Sequence, residues 1–297
     1  MTNSNSINES ISRRTLHTLR VLAIIILSVL VIDIGIVLYG EWESSKLEFN
    51  KIDMPVGTLP GLEGMRILVI GDIHSNDKQL AKAVEAGLAA KPDIAFILGD
   101  VIMATARTTR TRLIIKPLLQ LSSQVPTFAC LGNHDMEKLE VVERILQASR
   151  IPILRNSSMD FHCSRLGKNV TLAGIGDWWE YDCAPENCLT PTPKTQTTTE
   201  PKQQQQPQST ILLSHNPAAR TESMPYEWNL MLSGHTHGGQ LRYPFTKTAV
   251  FHRDNEPLTE GFHQLDETKN IFITRGIGSI FNLRLNCPPE FNLLIVH

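Results

Sequence analysis

The sequence predicts an α/β fold with its functional site along one edge of a sheet. Apolar strands at 65–70, 94–98 and 127–131 each end in a polar motif, and amphipathic helical segments connect them. This alternation is typical of parallel strands whose ligands bind outside the carboxyl ends. Short alternating segments after residue 150 predict a second, mixed or antiparallel sheet.

Composition limits the class of protein. The 297 residues allow one sizeable domain or two small ones, and the net charge of -2 argues against a nucleic-acid-binding domain held by a strong basic field. The cysteines lack a CxxC spacing, so neither a zinc knuckle nor a dense disulfide framework is favoured. A bridge between Cys183 and Cys188 in an oxidising compartment stays open.

The N-terminal region has the pattern of a membrane anchor. A polar tail at 1–20, of which 1–12 are expected to be disordered, precedes an apolar run at 21–38 that is about long enough to cross a bilayer as a helix. No small-residue cleavage pattern follows the run, which favours an uncleaved transmembrane anchor over a signal peptide. A buried soluble helix is the remaining alternative.

Charges beside the apolar run predict its orientation. Arginines precede the run and glutamates follow it, so the N-terminus is expected in the cytoplasm and the body of the protein outside it. Arg13 and Arg14 partly resemble a twin-arginine export signal, although two ordinary flanking arginines explain the pair equally well.

The rest of the chain is predicted to be a linker and one main domain. Proline and glycine breakers make 39–64 a linker, and 65–297 is the main domain. A run rich in threonine, proline and glutamine at 183–209 is expected to be a flexible surface insertion. The remaining expected elements are helices at 77–90, 113–121 and 137–148 and strands at 159–163, 170–175, 210–213, 228–232, 270–274 and 291–296.

Polar side chains follow five of the predicted strands. Each motif alone is commonplace, but together they supply carboxylate, amide and imidazole groups that bind divalent metals. These residues are Asp72, His74, Asp100, Asn133, His134, His215, His235 and His237.

The ordered motif set resembles that of the calcineurin-like metallophosphoesterase superfamily. It runs Asp72-x-His74, Gly99-Asp100, Gly132-Asn133-His134-Asp135, His215 and Gly234-His235-Thr236-His237. The fuller motif Ser214-His215-Asn216-Pro217, the run from Gly234 to Gln240, and the ending from Arg275 to Glu290 are similar to its YkuE/YaeI-like bacterial, often membrane-associated branch. The resemblance covers 65–297 without the insertion.

This resemblance implies a fold, a cofactor and a reaction. The fold is a four-layer arrangement of two packed mixed β-sheets flanked by helices, and the cofactor is a pair of divalent metal ions. Manganese is the expected metal, with iron, zinc and magnesium as alternatives. The implied reaction is hydrolysis of a phosphate ester or pyrophosphate bond through a metal-bridging hydroxide.

By motif position, the resemblance also assigns the metal ligands. Asp72, His74 and His237 would hold the first ion, and Asp100 would bridge the two. The second ion would be held by Asn133, His215 and His235.

Other residues receive roles outside the ligand set. His134 is the candidate catalytic residue, which would stabilise the transition state or protonate the leaving oxygen. Asp135 either orients His134 or caps the helix that follows. Arg275 and Arg284 either contact a substrate phosphate or form surface ion pairs. Trp178 and Trp179 either line the mouth of the site or pack structurally.

Three functions remain in competition. The first is a membrane-anchored phosphoesterase acting on a phosphorylated small molecule or lipid, with no nucleic-acid partner. The second is a UDP-2,3-diacylglucosamine diphosphatase of lipid A synthesis, although that nucleotide-linked lipid is expected on the cytoplasmic side. The third is a non-catalytic metal-binding scaffold, which would be expected to have lost ligands. Oligomeric state stays open.

Overall fold

Two β-sheets pack against each other in the computed structural model. It describes residues 3–103, 105, 112–192, 208–246, 248–250 and 256–297, with side chains from residue 15 onward. The predicted α/β class, with two packed mixed sheets and flanking helices, is confirmed.

The first sheet has the order β1-β11-β2-β3-β4. Strands β2, β3 and β4 are parallel, β11 is antiparallel to β2, and β1 is parallel to β11. The strands are β1 (Glu48–Asp53), β2 (Arg66–Ile70), β3 (Ile94–Leu98), β4 (Thr127–Cys130) and β11 (Glu290–Ile295).

The second sheet has the order β5-β6-β7-β8-β10-β9. Its four central strands are parallel, and β5 and β9 close its edges in antiparallel pairing. The strands are β5 (Ser157–Cys163), β6 (Lys168–Gly174), β7 (Thr210–Leu213), β8 (Leu230–Ser233), β9 (Gly261–Gln264) and β10 (Asn270–Ile273).

Alternating side chains divide the core into layers, because successive residues of a strand point to opposite faces. In β2, Ile67 and Val69 join the core shared by the two sheets, whereas Leu68 and Ile70 pack beneath the helices. Those helices are α2 (Asp77–Ala89), α3 (Ile115–Ser122) and α5 (Leu139–Ala148). Two one-turn helices are α4 (Asn133–Met136) and α6 (Arg220–Ser223). The predicted helix at 137–148 therefore begins at Leu139, after a separate turn.

The N-terminal helix α1 spans Asn3–Ser44. Its stretch Thr15–Ser44 is long and apolar enough to cross a membrane. Of the residues 1–12 that were expected to be disordered, those from Asn3 onward belong to this helix, and its polar part contains neither proline nor glycine.

The segment 39–64, predicted as a linker, is part of the fold. Residues up to Ser44 continue α1, and β1 pairs in parallel with β11. Phe49 stacks on Phe291 with ring centroids 4.6 Å apart. The later proline and glycine turns bury Leu59 and Leu62 between the sheets. The prolines and glycines of this segment thus form turns within the folded domain and do not mark an unstructured linker.

The flanks of the predicted insertion at 183–209 are ordered. Its central part, 193–207, lies outside the described residues. Before it, Pro185–Asn187 form a 3-10 turn, Leu189 is buried, and Pro191 forms a β-bridge with Tyr226. Cys183 and Cys188 are free thiols, as are the other three cysteines, so the structure contains no bridge between them.

Candidate metal centre

The predicted site residues meet where strands of both sheets end. Asp72 and Asp100 each lie two residues past the ends of β2 and β3, and His215 and His235 lie two residues past β7 and β8. The carboxyl ends of the two sheets face one another, so motifs far apart in sequence converge. Three overlapping groups each have their ligand atoms within 4.8 Å of one another: Asp72, His74 and His237; His74, Asp100 and His134; and Asp72, Asp100 and His215.

The first group has the spacing of ligands around one ion. The Nε2 atoms of His74 and His237 are 3.0 Å apart, and Asp72 Oδ1 lies 3.6 Å from His237 Nε2. Two nitrogen ligands that each lie about 2.1 Å from an ion are roughly 3 Å apart when they subtend a right angle. The three side chains could therefore hold a divalent cation.

A further set of side chains, His215, His235 and Asn133, is here called the second group. His235 Nδ1 is 3.2 Å from His215 Nε2, and Asn133 is buried close by at the start of α4. His215 Nδ1 is 2.8 Å from the carbonyl oxygen of Leu98. Because a carbonyl only accepts, Nδ1 carries a proton, and loss of the Nε2 proton would leave a lone pair directed towards the centre.

Asp100 lies between the two groups. Its Oδ2 is 3.6 Å from His74 Nε2 and 3.4 Å from His215 Nε2. Its Oδ1 accepts a hydrogen bond from the backbone N–H of His134 at 3.0 Å, which fixes the rotation of the carboxylate. One oxygen is thus held by the backbone while the other faces both groups.

Buried oxygen atoms at this centre fit a cation. Asp72 Oδ2, Asp100 Oδ2 and Asn133 Oδ1 have no hydrogen-bond partner among the described residues. Leaving a buried polar atom unsatisfied costs about 1–3 kcal/mol, and more for a charged one. Divalent ions are bound by such oxygens together with imidazole nitrogens, so the donor set fits metal ions of the kind that metallophosphoesterases use.

The electrostatics of the centre show a dense cluster of buried charge. Burial raises the pKa of Asp72 to about 7, and the Asp100 carboxylate adds to this effect although His215 opposes it. Burial also opposes ionisation of Asp100, but neighbouring imidazoles, chiefly His215, hold its pKa below the usual value. Against burial, Asp100 raises the pKa of His215 to about 10. A metal ion binding here must displace the His215 proton.

The backbone is strained where the site residues lie. Five of them adopt positive φ angles, a region that costs non-glycine residues on the order of 1–3 kcal/mol each. They are Asp72 (47°), His74 (48°), Asp100 (49°), His235 (69°) and His237 (52°). Each follows a strand closely, so the chain turns sharply to direct its side chain or carbonyl into the centre.

Two glycines allow the loops to approach the carboxylates. A Cβ atom at Gly132 would lie 2.3 Å from Asp100 Oδ1, and one at Gly234 would lie 2.5 Å from Asp72 Oδ2. The backbone beyond Gly234 also donates the His235 N–H to Asp72 Oδ1 at 3.0 Å. Any larger residue at either position would displace a carboxylate.

His134 lies at the edge of the centre with its side chain 20% exposed. Its ring meets His74 edge to face, with centroids 5.2 Å apart, and its Nδ1 lies 3.3 Å from Glu137 Oε1. Sequence reasoning missed Glu137, although a carboxylate three residues after a histidine in a helical segment is a recognisable pairing.

Asp135 does not orient the His134 ring. Its carboxylate is buried and accepts from the backbone N–H groups of Gly132, Val101 and Ile102 at 3.0, 2.8 and 3.3 Å. Because Asp135 is the third residue of α4, the residue at the N-cap position is Gly132, so the predicted N-cap role is displaced by three residues. Asp135 instead ties the β3 and β4 loops together.

The two arginines predicted to contact substrate are occupied by protein groups. Arg284 is fully buried and donates to the carbonyl oxygens of five residues: His237, Arg275, Gly276, Gly278 and Cys287. The Arg275 guanidinium pairs with Glu48, Glu260 and Glu290 at 2.7, 3.5 and 2.6 Å. A phosphate contact by Arg284 or Arg275 stays a prediction, and in this structure Arg275 forms the ion pairs of the alternative.

A carboxylate that sequence reasoning missed supports the mouth of the site. Asp177 is buried and accepts from the N–H groups of Trp179 and Glu180 at 2.9 and 3.2 Å, while burial raises its pKa. The centroid of the Trp179 ring lies 4.4 Å from that of the His235 ring, edge to face, so this side chain packs directly on a predicted metal ligand. The signal for Asp177 was the Gly-Asp pair after β6, which repeats the pattern after β2 and β3.

A family model described as calcineurin-like phosphoesterase matches residues 65–239, more than half of the chain. The chain belongs to the calcineurin-like phosphoesterase family. The family predicted from the motifs is therefore confirmed.

Curated relatives extend along most of the chain. Phosphodiesterase YaeI of Escherichia coli is 30% identical over 77% of this chain and 81% of YaeI. UDP-2,3-diacylglucosamine pyrophosphatase LpxG of Chlamydia trachomatis is 25% identical over 78% of this chain and 84% of LpxG. Metallophosphoesterase YkuE of Bacillus subtilis is 26% identical over 78% of this chain and 79% of YkuE. This calcineurin-like phosphoesterase is accordingly a metal-dependent phosphoric ester hydrolase.

Proposed function

We propose that this calcineurin-like phosphoesterase is anchored by α1 and hydrolyses phosphate ester or pyrophosphate bonds at a two-ion centre. Asp72, His74 and His237 would hold one ion, Asn133, His215 and His235 would hold the other, and Asp100 would serve both. The observation that carries the proposal is the position of Asp100 Oδ2, at 3.6 Å from a nitrogen of one group and 3.4 Å from a nitrogen of the other.

Each group of residues has a separate task in this proposal. When bound, two divalent ions polarise phosphoryl oxygens and lower the pKa of a water molecule towards neutrality. Asp72 and Asp100 each use one oxygen to accept a backbone N–H, so their second oxygens are oriented before substrate binds. Trp179 covers the His235 ring and excludes water from that side.

His134 is the proposed proton donor. In its protonated form, Nδ1–H is held by Glu137 while Nε2–H is free to protonate the leaving oxygen, which leaves a neutral ring still bonded to Glu137. Its position at the rim, next to His74 but partly exposed, suits contact with a bound phosphoester.

The sequence relationship to LpxG favours one specific alternative substrate. A pyrophosphate that links a nucleotide to a diacylated sugar would be presented at a membrane surface, which suits an enzyme carried on a membrane-spanning helix. Full-length protein incubated with UDP-2,3-diacylglucosamine should then release UMP. No UMP release by metal-loaded protein that cleaves other esters would exclude this substrate.

Metal content and turnover of one variant test the two-ion centre. We expect full-length protein in detergent, loaded with Mn²⁺, to bind about two ions per chain and to hydrolyse a p-nitrophenyl phosphodiester or monoester. Asp100→Asn should bind fewer ions and lose at least about 100-fold in turnover, since changes one shell further out already cost 10–100-fold.

Asp160→Asn is the matched control, because this carboxylate is exposed on β5 and should leave both readouts unchanged. Full metal content in Asp100→Asn would contradict the bridging role. Metal binding without hydrolysis of any phosphoester by the wild type would favour the non-catalytic scaffold.

A further inference from the structure

Two neighbouring loops present large aromatic side chains to the surroundings. Phe245 and Phe281 are 107% and 90% exposed, and Tyr243 is more than half exposed. Phe245 and Phe281 also have positive φ angles of 62° and 59°, an uncommon conformation for bulky residues. An aromatic ring that is held outward on a strained backbone gains no hydrophobic stabilisation in water. These positions therefore indicate that the rings contact an environment less polar than water.

The two loops form one surface, here called the aromatic loops and defined as residues 240–246 and 279–286. Gln240 Nε2 donates to the carbonyl oxygen of Ile280 at 3.1 Å, and the Arg242 N–H donates to that of Leu285 at 2.9 Å. Asn286 Nδ2 also donates to the carbonyl oxygen of Arg242 at 3.0 Å, which joins the two loops a third time. The exposed rings therefore belong to a connected structure.

The aromatic loops are attached to the end of α1. The Arg284 N–H donates to the Gly40 carbonyl oxygen at 3.2 Å, and the hydroxyls of Ser44 and Ser279 are hydrogen-bonded at 2.7 Å. A Cβ atom at Gly40 would lie 2.4 Å from Leu283 Cδ1, so the helix and the loop are in direct contact. The position of the helix in a bilayer therefore fixes the height of these loops.

If α1 spans a bilayer, the aromatic loops lie at the level of the membrane interface. Gly40 is two residues beyond the apolar run 21–38, which is about 3 Å along the axis at 1.5 Å per residue. Tyr39 and Trp42 are exposed on either side of it, and Lys46 lies over the Trp42 ring at 3.2 Å. Aromatic rings and basic side chains at a helix end are typical of the zone between hydrocarbon and water.

We propose that the aromatic loops are a second membrane contact, inserting Phe245 and Phe281 into the interface of the bilayer that α1 spans. The contact fixes the tilt of the domain relative to the membrane plane. A single spanning helix would leave that tilt free to vary. It also sets the metal centre close to the lipid surface, because Arg284 joins Gly40 through its backbone and the His237 carbonyl oxygen through its guanidinium. The occupant is the bilayer itself, and the inference does not depend on which ester is hydrolysed.

Fluorescence quenching in proteoliposomes tests the contact without an activity assay. Full-length protein with Cys183→Ser and Cys188→Ser, which leaves only buried thiols, is labelled with an environment-sensitive fluorophore at Phe245→Cys or Phe281→Cys. The vesicles are phosphatidylcholine with a nitroxide near the headgroup. We expect quenching at both positions to exceed that of the control by at least about twofold, as for residues at the interface.

Val56→Cys is the matched control, because Val56 is an exposed apolar residue just past the end of β1, and that strand extends roughly 17 Å from Glu48. Ile26→Cys, within the apolar run, is the reference for insertion. Quenching at Phe245 and Phe281 no greater than at Val56 would overturn the proposal. An unquenched label at Ile26 would overturn it too, since the loops have no bilayer to meet if α1 does not span one.

Discussion

The histidines of the centre differ in what their Nδ1 atoms contact. His215 Nδ1 is tied to the Leu98 carbonyl oxygen at 2.8 Å, which commits Nε2 to donating an electron pair. His134 Nδ1 faces the Glu137 carboxylate at 3.3 Å, which fixes the orientation of the ring. One environment therefore suits a metal ligand and the other suits a proton donor, although the two residue types are identical.

His134→Ala is expected to lower turnover by about 10²–10⁴-fold, the usual contribution of general acid catalysis, with metal content unchanged. The loss should be larger for an alkyl ester than for a p-nitrophenyl ester, because the better leaving group needs less protonation. Steady-state rates on both esters and elemental analysis of the same samples measure this.

His162→Ala is its control, since that exposed imidazole bonds only to Asn169 among the described residues. Metal loss in His134→Ala that matches the loss of activity would instead make His134 a ligand. That outcome is chemically open, because His134 lies within ligand distance of His74 and Asp100.

Strand β1 shows how an element that carries none of the metal-binding motifs completes the fold. It covers the outer edge of β11, and its first residue, Glu48, pairs with Arg275 beside the centre at 2.7 Å. The turns after β1 bury Met54, Leu59 and Leu62 to 2% exposure or less. A boundary placed at residue 65 would therefore cut through the core.

A fragment that begins at Met65 is expected to be unstable, whereas one that begins at Lys46 should fold. Burial of three apolar side chains contributes about 1.5–3 kcal/mol each, which together approaches the whole stability of many domains. Urea denaturation followed by circular dichroism compares the two fragments. Equal midpoints would show that β1 and its turns are dispensable.

The whole molecule is a phosphoesterase domain held against the end of a helix that is long and apolar enough to span a membrane. Glu43 and Ser44 are buried at that junction, and Gln79 Nε2 donates to the carbonyl oxygens of Ser44 and Ser45 at 3.2 and 3.0 Å. Because α2 and the C-terminal loops both contact α1, the domain is not suspended on a flexible tether. The side of the membrane occupied by the helix end is therefore also the side occupied by the active centre.

We expect that side to be extracytoplasmic, because the arginines precede the span and the glutamates follow it. Alkaline phosphatase fused after Leu38 should be active, and β-galactosidase fused at the same place should be inactive. Replacing the three preceding arginines with glutamate should reduce or reverse that preference. An active β-galactosidase fusion in the wild-type context would overturn the orientation.

Much of the site could be predicted because its residues follow strand ends. A buried strand is recognisable from a short apolar run, and parallel strands bring their carboxyl ends to one edge. Asp72, Asp100, His215 and His235 were found in this way. Asp177 carries the same signal after β6 but was overlooked, because it lies in the part of the chain where an alternating pattern had replaced the βα repeat.

Residue order and spacing were sufficient to predict the family, the strands that carry the motifs and the residues that converge at the centre. Only the tertiary structure shows that the Arg284 guanidinium donates to backbone carbonyl oxygens, that Glu137 is the partner of His134, and that β1 is a strand of the first sheet. The physical reason is that a strand-end motif is a local pattern, whereas these contacts depend on how loops and strands fold together. β1 pairs with a strand near the other end of the chain. The carbonyl oxygens that Arg284 contacts belong to loops whose positions no local pattern determines.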